Sequence, residues 1–279
     1  MKASAANLGV LLGELGIESR HQVAAGILLI AVFEVSFVGL AVAQAAGEYW
    51  LRLPPVAVVA AVWVVWTCWH SWLFPRNRLA YLGLEHPYRT AFVRDIYPWV
   101  TLGFCQMWRP LFNGETVARL VANPAGVIQT PPVVGIAGAV TLSLAALVTM
   151  ILAIRSIGIA NAAFVPEFHE VGTFVPVERG IYAHFAHPLF WSGIAFSLAL
   201  AIATSTRTAF AIAGVNLLYG VCYGPLERRR LGRVFGTVYT SYATRLGGLP
   251  TTAVYRKLLN RAESRRARAD GRTGADRER

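Results

Sequence analysis

Apolar residues along this chain come in long blocks, separated by short polar breaks. The blocks cover 23–46, 56–73, 133–154, 189–204 and 209–223, with a shorter one at 96–112 that contains Pro98 and Gly103. An apolar run of about 18 residues or more with few charges reads as a transmembrane helix. The pattern therefore predicts an all-α, polytopic helical membrane protein with about six spans. Segment 96–112 is either a kinked span or a re-entrant one. The last two blocks are each about 16 residues, roughly 24 Å as helix, and only Ser205-Thr206-Arg207-Thr208 joins them. This spacing predicts an antiparallel helical hairpin that returns Glu227 to the membrane face of His187.

Ahead of the first block, residues 1–22 read as an amphipathic lead, with Leu8, Val10, Leu11, Leu12 and Leu15 beside Glu14, Glu18 and Arg20; an interfacial helix is expected there. Glu34 falls near the middle of the first block. A carboxylate at that depth costs at least about 2.5 kcal/mol unless it meets protein or water, so it either lines a substrate path or is hydrogen-bonded in helix packing. The second block is entered through Pro54-Pro55 and is expected to stop at Pro75. Along it Trp63, Trp66, Trp69 and Trp72 recur every third residue, a stripe for packing and interfacial anchoring, and His70 reads as an interfacial histidine. Residues 76–95 read as a polar cytoplasmic loop. The organisation expected is an N-terminal membrane region over 1–130, a second membrane domain over 131–250 and a disordered basic tail over 251–279.

Composition agrees with the blocks. Of 279 residues only 15% are charged, against about 25% in soluble domains, and the mean hydropathy is +0.48. The net charge of +11 is not a nucleic-acid footprint, because it gathers in the tail and in short loops beside apolar blocks, where lipid headgroups are the partner. With six spans and the C-terminus inside, the outer loops hold only Arg52, Arg119 and Arg207, with Arg109 at the outer end of the third block. Both termini are thus expected to be cytoplasmic. Cys68, Cys105 and Cys222 lie far apart in apolar blocks, so neither a metal site nor a disulfide framework is indicated. No cleavable signal peptide is recognised.

The candidate chemistry sits at Gly180–Gly193, where Tyr182, His187, Pro188, Phe190 and Trp191 crowd together before the fifth block, and at Glu227, Tyr239 and Tyr242 beyond the sixth. A carboxylate, an imidazole and aromatic faces suit a cationic, amphipathic ligand such as a sulfonium with an amino-acid tail. The same residues also make an interfacial aromatic belt with a proline opening a helix.

The spacing resembles that of the isoprenylcysteine carboxyl methyltransferase-like and phospholipid methyltransferase-like membrane enzymes over about 115 residues, roughly Val134 to Pro250. Ile157-Gly158 matches their first element. Gly180, Tyr182, His187, Pro188 and Gly193 match G-x-Y-x-x-x-R-H-P-x-Y-x-x-G, and Glu227, Leu231, Phe235, Gly236, Tyr239 and Tyr242 match E-E-x-x-L-x-x-x-F-G-x-x-Y-x-x-Y. Three positions depart: Ala186 for an arginine, Phe190 for a tyrosine and Arg228 for a second glutamate. Arg179, Arg228, Arg229 and Arg245 are the neighbouring cations available in place of the missing one.

The resemblance implies S-adenosylmethionine held on the cytoplasmic face by Gly180, Tyr182, His187, Pro188, Phe190, Glu227, Tyr239 and Tyr242. It also implies a lipophilic or peptide acceptor and no metal; the substrate path is expected to include Glu34 and Arg245. Two other outcomes stay open: a divergent non-methylating member or accessory membrane subunit, and an NADPH-dependent reductase on a related scaffold. A soluble dinucleotide-type methyltransferase is excluded by the lack of a G-x-G-x-x-G after a strand.

Overall fold

The computed structural model describes residues 2–17, 22–122, 133–169, 177, 180–183, 185, 187–236, 238, 239, 241 and 242. Among them every regular element is a helix. Four helices are long and apolar enough to cross a membrane: Ala24–Leu51, Pro55–Tyr81, Gly135–Ile157 and Arg207–Phe235. Pro188–Thr204 is apolar but shorter. The basic tail and the junction between 130 and 131 lie outside the described residues.

Helix α1 (Lys2–Glu14) does not lie free at an interface. Its Leu11 and Leu12 are buried, and Glu14 stands 3.2 Å from His169. Helix α2 (Gln22–Leu51) is followed by Arg52 in the left-handed region (φ 53°), and Pro54-Pro55 restart the chain as α3 (Pro55–Cys68).

The second block does not stop at Pro75. Helix α3 passes through a π-turn, Trp69–Leu73, into α4 (Phe74–Tyr81). Proline lacks an N–H and its ring collides with the carbonyl four residues back. In the π-turn the N–H of Phe74 reaches five residues back to the Trp69 carbonyl, which widens the turn just ahead of the ring. The same device recurs after α5 (Pro87–Ala91). A π-turn at Phe92–Ile96, closed by the Tyr97 N–H on the Phe92 carbonyl, precedes Pro98 at the start of α6 (Tyr97–Phe104). Much of the expected loop over 76–95 is therefore helical. The third block is the later part of this π-turned helix, closed by a 3-10 turn, Cys105–Met107, and it is not among the four helices of spanning length and composition.

Between the third and fourth blocks lies α7 (Gly114–Ala122), whose first turn is capped by the Asn113 side chain at 3.1 Å from the Thr116 N–H. After α8 (Val133–Ile157) come α9 (Ile159–Ala162) and two 3-10 turns, Val165–Phe168 and Gly180–Ala183. Then follow α10 (Pro188–Thr204) and α11 (Arg207–Phe235). Thr206 caps α11 by accepting from the Ala209 N–H at 3.1 Å. The helix then runs through Pro225, so Glu227 belongs to α11 itself rather than to a segment after it.

Helices α10 and α11 meet in opposite order: Phe190 packs by Tyr223, Ile194 by Gly220 and Ser197 by Asn216. A Cβ on Gly220 would overlap Ile194 Cδ1 and come within 2.8 Å of Phe190 Cε1; glycine is what lets the two backbones approach. Helix α3 lies against α11. Trp63 stacks on Tyr219 at 3.8 Å between centroids and donates to Asn216 Oδ1 at 2.8 Å. Asn216 Nδ2 in turn donates to Ser197 Oγ and to the Gln106 carbonyl. Trp63, Trp66 and Trp69 are buried in the same core as Ile194, Ile212 and Tyr223, each large side chain contributing about 1.5–3 kcal/mol. Trp72 stays 75% exposed.

Near the end of α2 a second polar knot ties α2 to the segment after α6. Arg109 is fully buried and paired with Glu48, and its Nη1 donates to Gln44 Oε1 at 3.1 Å. Glu48 also accepts from the Gly114 N–H. Arg109 is therefore a structural cation, not a free charge at an outer membrane surface.

Candidate functional site

Local backbone demands place the first half of the site. Gly158 ends α8 with φ +78°, and Gly180 opens its 3-10 turn with φ +62°. At Gly180 a Cβ would also stand 2.6 Å from Ser156 Oγ, so that position takes glycine on two counts. His187, at φ −141° and ψ 58°, stands outside the helical region that a following proline disfavours, and Pro188 starts α10. His86-Pro87 opens α5 in the same way. Phe190, one turn into α10, is half-buried against Tyr219 and Tyr223, with centroids 5.7 and 5.4 Å away.

Helix α11 supplies the second half. His187 Nδ1 stands 3.1 Å from Glu227 Oε2, the two side chains 14% and 19% exposed. The other carboxylate oxygen, Oε1, lies 3.5 Å from Arg230 Nη2. Arg230 also pairs with Glu167 and stands over the Phe164 ring at 4.6 Å. Phe164 holds a left-handed conformation, φ 67°, a local strain of about 1–2 kcal/mol that packing must offset. One cation thus links two carboxylates from different parts of the chain.

Beyond α11, Gly236 (φ +66°) turns the chain, and Tyr239 and Tyr242 pack together on Leu231 and Phe235. The Tyr242 hydroxyl donates to the Tyr182 carbonyl at 2.7 Å, joining the two halves a second time. Burial, and then the Glu227 carboxylate, push both the Tyr182 and the Tyr239 phenols above their ordinary range. Both are neutral hydroxyls near neutral pH.

Gly180, Tyr182, His187, Pro188, Phe190, Glu227, Tyr239 and Tyr242 are thereby brought to one end of the bundle. Glu34 is not among them: it is exposed on α2 and has no hydrogen bond or ion pair among the described residues. Arg245, Arg179 and Ala186 lie outside the described residues.

The site also holds residues that sequence reasoning passed over. His70 is buried rather than interfacial. It stacks on Trp66 at 4.9 Å and bonds Tyr223 Oη at 3.1 Å, four residues before Glu227 on α11. Arg230 and Glu167 complete the charge cluster. The i, i+3 step from Glu227 to Arg230 was a usable signal once α11 is known to continue past Pro225. Nothing local in sequence announces Glu167, because its partner is 63 residues away.

The arrangement offers a carboxylate whose two oxygens are each engaged by one donor group, leaving acceptor capacity on both. Beside it lie an imidazole and several aromatic faces. No family model, no curated protein and no solved structure matches the chain.

Proposed function

We propose that this chain is an integral membrane methyltransferase dependent on S-adenosylmethionine, acting on a lipophilic or membrane-delivered acceptor: a carboxylate, thiol or amine. The observation that carries the reading is the His187–Glu227 contact, which brings the two separated motif halves into one site. The residues fit such a ligand. Glu227 keeps acceptor positions for an ammonium group, and Tyr182 and Tyr239 are neutral hydroxyl-bearing rings beside it. When bound, the cofactor supplies an electrophilic methyl group. The chain's own part is to hold donor and acceptor in line and to keep water out.

The site would lie at the cytoplasmic face, with about six crossings, the π-turned helix that runs through α6 counted as the third, and both termini inside. In that topology α10, of 17 residues and about 26 Å long, forms a hairpin with α11. The polar balance of the loops supports this orientation. A second reading, a non-methylating accessory subunit, draws on the same cluster: Glu227, Arg230, Glu167 and His187 already satisfy one another.

Thermal unfolding of the detergent-purified protein with S-adenosylmethionine, S-adenosylhomocysteine or NADPH separates these. Either sulfur ligand at about 100 times its Kd stabilises by about 2.7 kcal/mol through mass action, whereas NADPH gives no shift. Glu227→Ala and His187→Ala each abolish the shift while remaining folded by circular dichroism. No shift with either sulfur ligand in the wild type rejects the methyltransferase reading, and a shift with NADPH alone favours a reductase.

A further inference from the structure

The orientation of His187 singles out its second ring nitrogen. Nδ1 lies 3.1 Å from a carboxylate oxygen that Arg230 helps to hold in place, and a ring nitrogen facing a carboxylate carries the hydrogen. Whenever the imidazole is neutral, its lone pair is therefore on Nε2, directed away from Glu227. Among the described residues Nε2 has no partner, and the ring is not sealed from solvent, the side chain being 14% exposed. An imidazole aligned by a carboxylate on one nitrogen and open on the other is the arrangement of a proton acceptor.

The other histidine of the cluster differs on each count. His70 is 1% exposed, and its Nε2 is committed to Tyr223. Groups gathered about the pair are Glu227 and Arg230 on α11, Glu167 on the 3-10 turn over Val165–Phe168, and the neutral Tyr182 and Tyr239 hydroxyls. None of these is hydrogen-bonded to Nε2 among the described residues.

We propose that His187 is a catalytic base acting through Nε2, and that the acceptor is accordingly a nucleophile that loses a proton, an amine or thiol on a lipophilic tail, rather than a carboxylate. This rests on the methyl-transfer reading above. The nucleophile's lone pair forms the new bond to carbon, and the leaving sulfur departs with the electron pair of the bond that breaks. The proton released from nitrogen or sulfur passes to His187 Nε2, giving an imidazolium that Glu227 stabilises, and then to water. A carboxylate acceptor releases no proton and needs no such base.

The first test needs no turnover. Diethyl pyrocarbonate acylates unprotonated, accessible imidazole nitrogens, and peptide mapping by mass spectrometry reads each histidine. His187 is modified and His70 is not. Dodecanethiol or dodecylamine slows modification of His187 at least about tenfold, while dodecanoate does not. The second test uses labelled S-adenosylmethionine with the same three probes. The amine or thiol is methylated, and His187→Asn, whose amide keeps a donor toward Glu227, retains the ligand-induced thermal shift but loses at least about 100-fold in turnover, the usual share of a general base.

Protection by dodecanoate alone overturns the proposal, as does methylation of dodecanoate at a rate His187→Asn leaves unchanged. So does an unmodified His187 in the folded protein. If the wild type fails to bind either sulfur ligand, the methyltransferase reading falls and this assignment falls with it. Binding with carboxylate methylation removes only the present one.

Discussion

Glu48→Ala isolates the energetics of the buried pair between Glu48 and Arg109. The Arg109 side chain has no exposed surface, that of Glu48 is 1% exposed, and Arg109 Nε already lacks a partner. Removing the carboxylate leaves a buried guanidinium with only Gln44 as acceptor, and it strips the Gly114 N–H of its partner. Loss of one member of a buried pair costs about 3–5 kcal/mol, and the lost backbone bond adds about 1 kcal/mol. At about 2–4 °C per kcal/mol for a chain of this size, the unfolding midpoint falls by about 8–24 °C. The assay is thermal unfolding in detergent followed by far-ultraviolet circular dichroism. Glu48→Met combined with Arg109→Met removes both charges and recovers most of the loss, because well-packed apolar replacements of a buried pair are often neutral. A fall of less than about 2 °C for Glu48→Ala, or a double variant no better than the single one, would refute the claim that the pair is buried and mutually dependent.

Gly220→Val drives methyl groups into Ile194 and Phe190 and costs about 1–3 kcal/mol by overpacking; because Phe190 borders the site, the ligand-induced thermal shift weakens along with the midpoint, and an unchanged midpoint would mean that α10 and α11 are not in close contact. The buried phenols give a pH dependence with a definite sign. Their folded values are raised, so the stability they contribute is full below the unfolded tyrosine value of about 10 and is lost as pH rises beyond it. Thermal midpoints taken across that range fall less steeply in the Tyr182→Phe, Tyr239→Phe double variant than in the wild type, and equal slopes would reject burial as the cause.

The long apolar blocks were enough to read the helical membrane character, since four helices have spanning length and composition. Their ends were harder to read. Pro75 looked like a stop because a proline is costly inside an α-helix, and Pro98 marked a kinked or re-entrant segment, yet a wider turn ahead of each carries the helix on. The sixth apolar block ends at 223, yet α11 runs on through Pro225, so Glu227, read as lying beyond the block, lies within the helix. Polar residues in apolar blocks split by partner rather than by position. Asn216, Arg109 and Glu48 are buried in hydrogen-bonded knots whose members are distant in sequence. Glu34, singled out in the sequence, has no such partner among the described residues. At the site, Gly180, His187-Pro188 and Glu227 were legible because their spacing is local or set by helix length, while Glu167, His70 and Phe164 depend on contacts that no spacing encodes.

The two π-turns amount to one surplus residue each in an otherwise α-helical rod. An α-helix advances about 100° per residue, so each surplus residue resets the azimuth of everything that follows it. Before the first reset, Val59, Trp63 and Trp66 point inward; after it begins, Trp69, His70 and Phe74 are all buried, and adjacent positions 69 and 70 share the interior instead of splitting between interior and lipid. Deleting Ser71 would restore a regular helix and swing either the tryptophans or Phe74 outward. Length variation here is therefore a change of phase, and any relative of this chain that keeps His70 inside must keep its residue count between Trp66 and Phe74 as well.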